Sequence, residues 1–127
     1  MRPAVQGSIV VLVVDDDPTW AELVTRVLRL RGMQVSTTQT SLGASNLVRR
    51  LQPDVVLLDV DLPALSGDAL VGLLRRSAPA RTRIVLHSAH DTGTLRAVAA
   101  RVGADGSLSK STELDTLVDY VARIAKS

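Results

Sequence analysis

The chain has 127 residues, 46% of them hydrophobic and 22% charged, with a formal net charge of +2 and no cysteine. That length suits one domain with one core, and the balance excludes a disordered chain. Without cysteine there are no disulfides, thiolate metal sites or cysteine nucleophiles, and a cytoplasmic home is the natural expectation.

In chain order, the residues before Gly7 carry no signal-peptide pattern, and the longest apolar run, Ile9 to Val14, is far too short to span a bilayer. That run is apolar throughout, as expected of a strand buried on both faces. Trp20, Leu23, Val24, Val27 and Leu28 then mark the inner face of a first helix, with Pro18 in its first turn and Gly32 as its stop. Val35 to Thr38 reads as a weaker strand suited to a sheet edge. Leu42, Leu47, Val48 and Leu51 mark a second helix, ended by Pro53, before the apolar strand Val55 to Leu58. Leu70, Leu73 and Leu74 mark a third helix, followed by the strand Ile84 to Leu86. Leu95, Val98, Ala99 and Val102 mark a fourth, closed by Gly103, and Ser107 to Ser109 form a second weak strand. Leu114, Leu117, Val118, Val121 and Ile124 mark a fifth helix, and Thr112 with Asp115 three residues on has the pattern of a capping box.

Five βα units imply an α/β fold, a parallel sheet with helices on both faces and right-handed crossovers. In such sheets ligands bind beyond the carboxyl ends of the strands. Asp15, Asp16 and Asp17 follow the first strand, Asp59 and Asp61 the third, Ser88 the fourth and Lys110 the fifth. All should meet at one rim. Crowded carboxylates repel one another, which raises pKa values or demands a counter-cation. Mg²⁺ suits oxygen ligands this sparse, completed by waters and a phosphate oxygen. An ammonium and a hydroxyl at the same rim make sense if a phosphoryl group joins the site. A carboxylate nucleophile there would form an aspartyl-phosphate.

Taken singly, these residues have blander readings. Asp17 before Pro18 is better explained as the cap of the first helix. A lone serine or lysine is uninformative, and His87 should alternate with Ser88 in direction and pack under a helix. Chemistry at four of the five strand ends is what favours a site. The thirteen arginines are scattered, mostly on predicted helix faces, among them Arg26, Arg29, Arg49, Arg50, Arg75, Arg76, Arg96 and Arg101. With Trp20 and Tyr120 the only aromatic residues, there is no stacking platform, and direct nucleic-acid binding is not expected.

From Ile9 to about Ala125 the pattern resembles the receiver domain of bacterial two-component response regulators. The matching stretches are Val13 to Pro18, Pro53 to Pro63 with Gly67 closing the loop, Ile84 to Ala89, and Gly103 to Lys110. The resemblance implies a doubly wound (βα)5 fold with flavodoxin-like strand order 2-1-3-4-5, residues 1–127 forming a single receiver domain with no output domain. It implies that Asp59 accepts the phosphoryl group. Asp15, Asp16, Asp59 and the backbone carbonyl of Asp61 would hold Mg²⁺ or Mn²⁺, while Ser88 and Lys110 would contact the phosphoryl oxygens. The implied donor is a histidine kinase or a histidine phosphotransfer protein, and output passes through a downstream protein target, without a membrane. Members commonly pair through the fourth helix, fifth strand and fifth helix, and that homodimer is open to this chain. The Asp61 and His90 side chains are expected to flank the path of the attacking water and set the dephosphorylation rate.

Two positions depart from the family pattern. Ser107 stands where a switch aromatic is usual, and Ser111 stands where a proline follows the lysine through a cis peptide. A cis bond without proline costs about 2.5–4 kcal/mol, so either the loop is trans and reshaped or its surroundings hold a strained bond. The missing aromatic at Ser107 encourages a rival reading, a receiver used as a phosphorylation-independent interaction module, against which the complete acidic, hydroxyl and lysine set argues. A second rival is a Mg²⁺-dependent phosphatase of the haloacid-dehalogenase type, which Asp59-x-Asp61 after an apolar strand resembles. Its acidic pair would follow the lysine strand instead of the first strand, Pro63 is unusual for it, and the chain has no room for a cap. A flavin-binding relative is poorly supported, because the first loop is acidic and has no aromatic to sandwich the ring. The expectation is a signalling domain and not a turnover enzyme.

Overall fold

Five parallel strands carry the alternation that decides every other placement in this protein. In the computed structural model, which describes residues 8–61 and 67–127, the elements run β1 (Val10–Val14), α1 (Pro18–Leu30), β2 (Gln34–Thr38), α2 (Ser41–Leu51), β3 (Val55–Leu58), α3 (Gly67–Ser77), β4 (Arg83–Ser88), α4 (Thr92–Val102), β5 (Gly106–Ser109) and α5 (Leu114–Ile124). The sheet order is β2-β1-β3-β4-β5, as expected for the doubly wound arrangement, and the two weak strands are its edges. The N-terminal segment to Gly7 and the motif residues Leu62 and Pro63 lie outside the described residues.

Period-two alternation divides the core into two layers. Val11, Val13, Val55, Leu57 and Val85 face the layer closed by Val24 and Leu28 of α1 and by Leu117, Val118 and Val121 of α5. Leu12, Val14, Val56, Leu58, Ile84 and Leu86 face the other, closed by Ala44 and Val48 of α2, Leu70 and Leu74 of α3, and Leu95 and Ala99 of α4. Burying a valine or leucine side chain stabilises by about 1.5–3 kcal/mol, so both faces of the central strands select apolar residues.

Helix ends follow local chemistry. The Asp17 carboxylate accepts hydrogen bonds from the backbone N–H of Thr19 and Trp20, which makes it the cap of α1. Gly32 (φ 87°) and Gly103 (φ 79°) take the left-handed conformation after α1 and α4, which a side chain would strain.

Three local expectations are corrected. Leu23 and Leu42 are 37% and 74% exposed instead of facing the core. The inward stripes are Ala21, Val24, Thr25 and Leu28 in α1 and Ser41, Ala44, Ser45 and Val48 in α2. Each leucine sits one residue off its stripe, about 100° around the helix. The capping box at Thr112 and Asp115 does not form: α5 starts one residue later, with Glu113 at the cap and no side-chain bond there. Thr112 instead donates its N–H to the Ser109 carbonyl in the preceding turn.

Candidate functional site

The sheet ladder continues one residue past the strands and sets the rim. Asp15 donates its N–H to the Thr38 carbonyl (3.0 Å), Asp59 to that of Val14 (2.9 Å), and Lys110 to that of Ser88 (2.8 Å). Residues dozens of positions apart are thereby brought side by side. By strand alternation Asp15, Asp59, His87 and Lys110 point to the α1 side, and Ser88 points to the opposite side.

Asp15, Asp16 and Asp59 each offer a carboxylate oxygen, and these atoms all lie within 4.8 Å of one another. The donor set is three hard anionic oxygens with no sulfur or nitrogen, which fits a hard divalent cation. Asp15 and Asp59 are buried and Asp16 is exposed, so one side of the cluster stays open. The Asp15 carboxylate accepts the Asp17 N–H (2.9 Å), and the Asp59 carboxylate accepts the Asp61 N–H (2.9 Å). Both buried acids are therefore held by the backbone of their own loops, and they are fixed before any ligand arrives.

Lys110 brings the compensating charge. Its Nζ lies 2.8 Å from Asp15 Oδ2 and 3.5 Å from Asp59 Oδ2. Burial pulls the amine toward the neutral form, yet the Asp15 and Asp59 carboxylates outweigh it and hold its pKa above the ordinary lysine value. Burial also pushes the Asp59 carboxyl up; the Asp61 N–H and Lys110 pull it back, and the Asp15 and Asp61 charges add to the rise. Burial thus decides the rise of Asp59, whereas the two carboxylates decide that of Lys110, which lies closer to Asp15 than to Asp59.

Ser88 and the pair Asp61–His90 complete the rim. Ser88 Oγ donates to Asp61 Oδ2 (3.1 Å), and His90 Nε2 lies 3.1 Å from Asp61 Oδ1. Asp61 and His90 thus meet beside Asp59, and Asp61 also takes up the Ser88 hydroxyl, which the sequence does not announce. Ala89, beside Ser88, is exposed.

His87 is buried, as its alternation predicts. It accepts a hydrogen bond at Nε2 from the Trp20 indole N–H (2.9 Å), and its Nδ1 lies 2.6 Å from the Leu108 carbonyl. Trp20 sits in the first turn of α1, and its ring reaches Lys110 Nζ, 5.9 Å from the ring centroid. Two signals could have pointed to this contact, an isolated tryptophan in the first helical turn and a histidine amid apolar residues of β4.

The departures from the family pattern are resolved structurally. There are no cis peptide bonds among the described residues, so the Lys110–Ser111 bond is trans. The reshaped turn uses a donor that proline lacks: Ser111 gives its N–H to Ser109 Oγ (3.2 Å), and Ser109 Oγ in turn donates to the His90 carbonyl (3.1 Å). At Ser107 the small side chain borders an open groove of about 400 Å³, lined by Thr92, Arg96, Ala99, Ser107 and Tyr120 among others. Tyr120 comes from α5 instead, its hydroxyl accepting the Ser107 N–H. Gly106 leaves the room for it, since a Cβ there would collide with that hydroxyl.

A doubly wound α/β domain with three acids, a lysine and a hydroxyl at the carboxyl rim of its sheet is a domain of the receiver class. The match to known proteins names the family: the chain belongs to the response regulator receiver domains, whose pattern it fits over residues 11–122. It is 36% identical over 118 residues to the DNA-binding response regulator MtrA of Mycolicibacterium smegmatis, covering 92% of this chain and 51% of that protein. The solved receiver domain of NarL from Mycobacterium tuberculosis superposes with a TM-score of 0.81 at 33% identity, covering 94% of this chain and 98% of that one. The BeF3-activated N-terminal receiver domain of Klebsiella pneumoniae RstA gives 0.82 at 26% identity, with 93% and 99% covered. The chain spans about half the length of the curated relatives it matches. Receiver domains are signalling domains and generally not turnover enzymes, and the family match leaves the phosphatase and flavin readings without support. No helix among the described residues is long and apolar enough to cross a membrane.

Proposed function

We propose that this receiver domain is a phosphorylation-dependent signalling switch in which Asp59 is the phosphoacceptor. The observation that carries the reading is the meeting of Lys110 with Asp59 and Asp15, at 3.5 and 2.8 Å, beside an acid cluster open on one side. The donor is a phosphohistidine on a histidine kinase or histidine phosphotransfer protein, or a small acyl phosphate. An Asp59 carboxylate oxygen attacks phosphorus; the new O–P bond forms as the donor's P–N or P–O bond breaks, and the leaving group keeps the electron pair. Lys110 faces the charge that accumulates on the phosphoryl oxygens. Asp15, Asp16 and Asp59, with the backbone carbonyl of Asp61, would hold Mg²⁺ or Mn²⁺, which neutralises phosphoryl charge when bound.

Ser88 changes partner in this reading, leaving Asp61 Oδ2 to donate to a phosphoryl oxygen. Hydrolysis is a second transfer, to water: water attacks phosphorus and loses a proton, the Asp59 O–P bond breaks with its electron pair on the carboxylate, and inorganic phosphate leaves. Asp61 and His90, bonded to one another beside Asp59, flank the approach of that water. Output passes to a downstream protein, and the groove at Ser107 and Tyr120 marks where the departure from the family pattern bears on it.

The test is incubation with Mg²⁺ and a small acyl phosphate, followed by intact-mass measurement. One added phosphoryl group is expected, absent in Asp59→Asn. Addition that persists in Asp59→Asn, or none in the wild type, overturns the assignment.

A further inference from the structure

Histidine is an expensive residue to bury among valines and leucines unless both ring nitrogens are used. His87 is 1% exposed on β4, between Leu86 and Ser88, and both of its nitrogens are used. Trp20 Nε1–H donates to Nε2 at 2.9 Å, so that nitrogen is an acceptor and carries no proton. The proton is then on Nδ1, which donates to the Leu108 carbonyl at 2.6 Å. This assigns the neutral Nδ1–H tautomer from the hydrogen bonds alone.

The two partners of His87 converge on one side chain. Leu108 stands two residues before Lys110 on the same face of the chain, so its carbonyl belongs to the backbone that carries the lysine. Trp20 presents its ring to the amine of Lys110, 5.9 Å from the centroid, within the range of a cation–π contact. Trp20 is itself anchored, since its N–H and that of Thr19 are capped by Asp17. The imidazole therefore ties the helix bearing the wall to the strand bearing the lysine. An apolar side chain of the same size would fill the space but tie neither.

We propose that Trp20 and His87 are positioning residues for Lys110: the imidazole clamps the indole as a wall that keeps the lysine amine turned inward, over Asp15 and Asp59. Neither residue touches the reacting atoms. The consequence for phosphorylation rests on the reading of Asp59 as acceptor, whereas the consequence for the lysine itself does not. Without the clamp, Lys110 gains rotamers directed to solvent, and less of it faces the acid cluster.

The chain has only two lysines, Lys110 and Lys126, which makes a direct test simple. Pulse acylation of the folded, metal-free chain with an amine-reactive ester, read by peptide mass spectrometry, gives the Lys110 rate with Lys126 as internal reference. Trp20→Phe keeps a ring and removes the N–H; His87→Leu removes both bonds; His87→Gln restores an acceptor and a donor. The Lys110:Lys126 ratio should rise about two- to five-fold in Trp20→Phe and His87→Leu, the scale of one lost cation–π contact, and return toward wild type in His87→Gln. In the acyl phosphate assay the same two variants should lose maximal labelling rate while the half-saturating Mg²⁺ concentration does not rise. An unchanged ratio in both Trp20→Phe and His87→Leu overturns the proposal, and so does His87→Gln behaving as His87→Leu. If His87→Leu does not fold, Trp20→Phe alone decides, because its site is only half-buried. Failure of labelling in the wild type would sink the acceptor assignment and leave the acylation result standing.

Discussion

Replacing Lys110 by methionine keeps the apolar stem and deletes the ammonium that Asp15 and Asp59 face. At an effective dielectric near 20, unit charges at the observed 2.8 and 3.5 Å attract by about 6 and about 5 kcal/mol. Desolvation cancels much of that, and removing one partner of a buried pair usually costs about 3–5 kcal/mol. The lysine side chain keeps 17% of its exposure, so the lower end applies. A loss of about 3 kcal/mol in a domain of this size lowers the melting temperature by roughly 9–15 °C. Mg²⁺ should then narrow the gap: with no amine competing for Asp15, the variant gains more from the ion than the wild type does. At a hundredfold excess over its dissociation constant the variant gains about 2.7 kcal/mol, and the gap narrows by the amount by which this exceeds the wild-type gain. Thermal melts with chelator and with millimolar Mg²⁺ measure both effects, while acyl phosphate labelling of the variant should be strongly slowed. A metal-free melt equal to wild type, or a smaller Mg²⁺-induced rise in the variant, would refute the placement of Lys110 as the cluster's resident cation.

Two further outcomes follow from the rim and the core beneath it. Replacing Asp61 and His90 together by alanine frees Ser88 and opens the approach to Asp59, so the half-life of the phosphorylated form, followed by mass after donor removal, should change several-fold; an unaltered half-life excludes their role. Stability should also depend on pH through His87. Burial holds its pKa below the ordinary 6.5, so its contribution is present above that value and is lost as pH falls through the folded pKa, when protonated Nε2 can no longer accept from Trp20. Asp59, raised by burial, acts with the opposite sign: its contribution is full at low pH and is lost as pH rises through its folded pKa. Urea midpoints across the acid range in wild type and His87→Gln separate the two, and an acid loss that persists unchanged in His87→Gln contradicts the assignment. Lys110, raised above 10.5, adds a loss only at alkaline pH, as its own folded pKa is passed.

Much of the fold is legible in the chain because it depends on neighbours in sequence. Apolar runs such as Val55 to Leu58 suit strands buried on both faces, Asp17 before Pro18 caps a helix, and Gly32 and Gly103 accept a conformation that stops one. Where local signals failed, the margin was small: Leu23 and Leu42 lie one residue off the inward stripe, and the turn after β5 took Thr112 away from its capping role. Helical spacing still reads as one apolar face after such a slip, whereas packing admits only the residues that fit.

Which strand ends share a rim followed from alternation and from the rule that parallel sheets present their carboxyl ends together. That much places Asp15, Asp59, Ser88 and Lys110 in one neighbourhood from sequence alone. Their pairing is a tertiary matter. Lys110 prefers Asp15 to Asp59, Ser88 spends its proton on Asp61, and Trp20 finds His87 across 67 residues. Periodicity reports the direction a side chain leaves its own backbone, but a hydrogen bond depends on ångström distances between segments, which strand order, register and rotamer choice decide together.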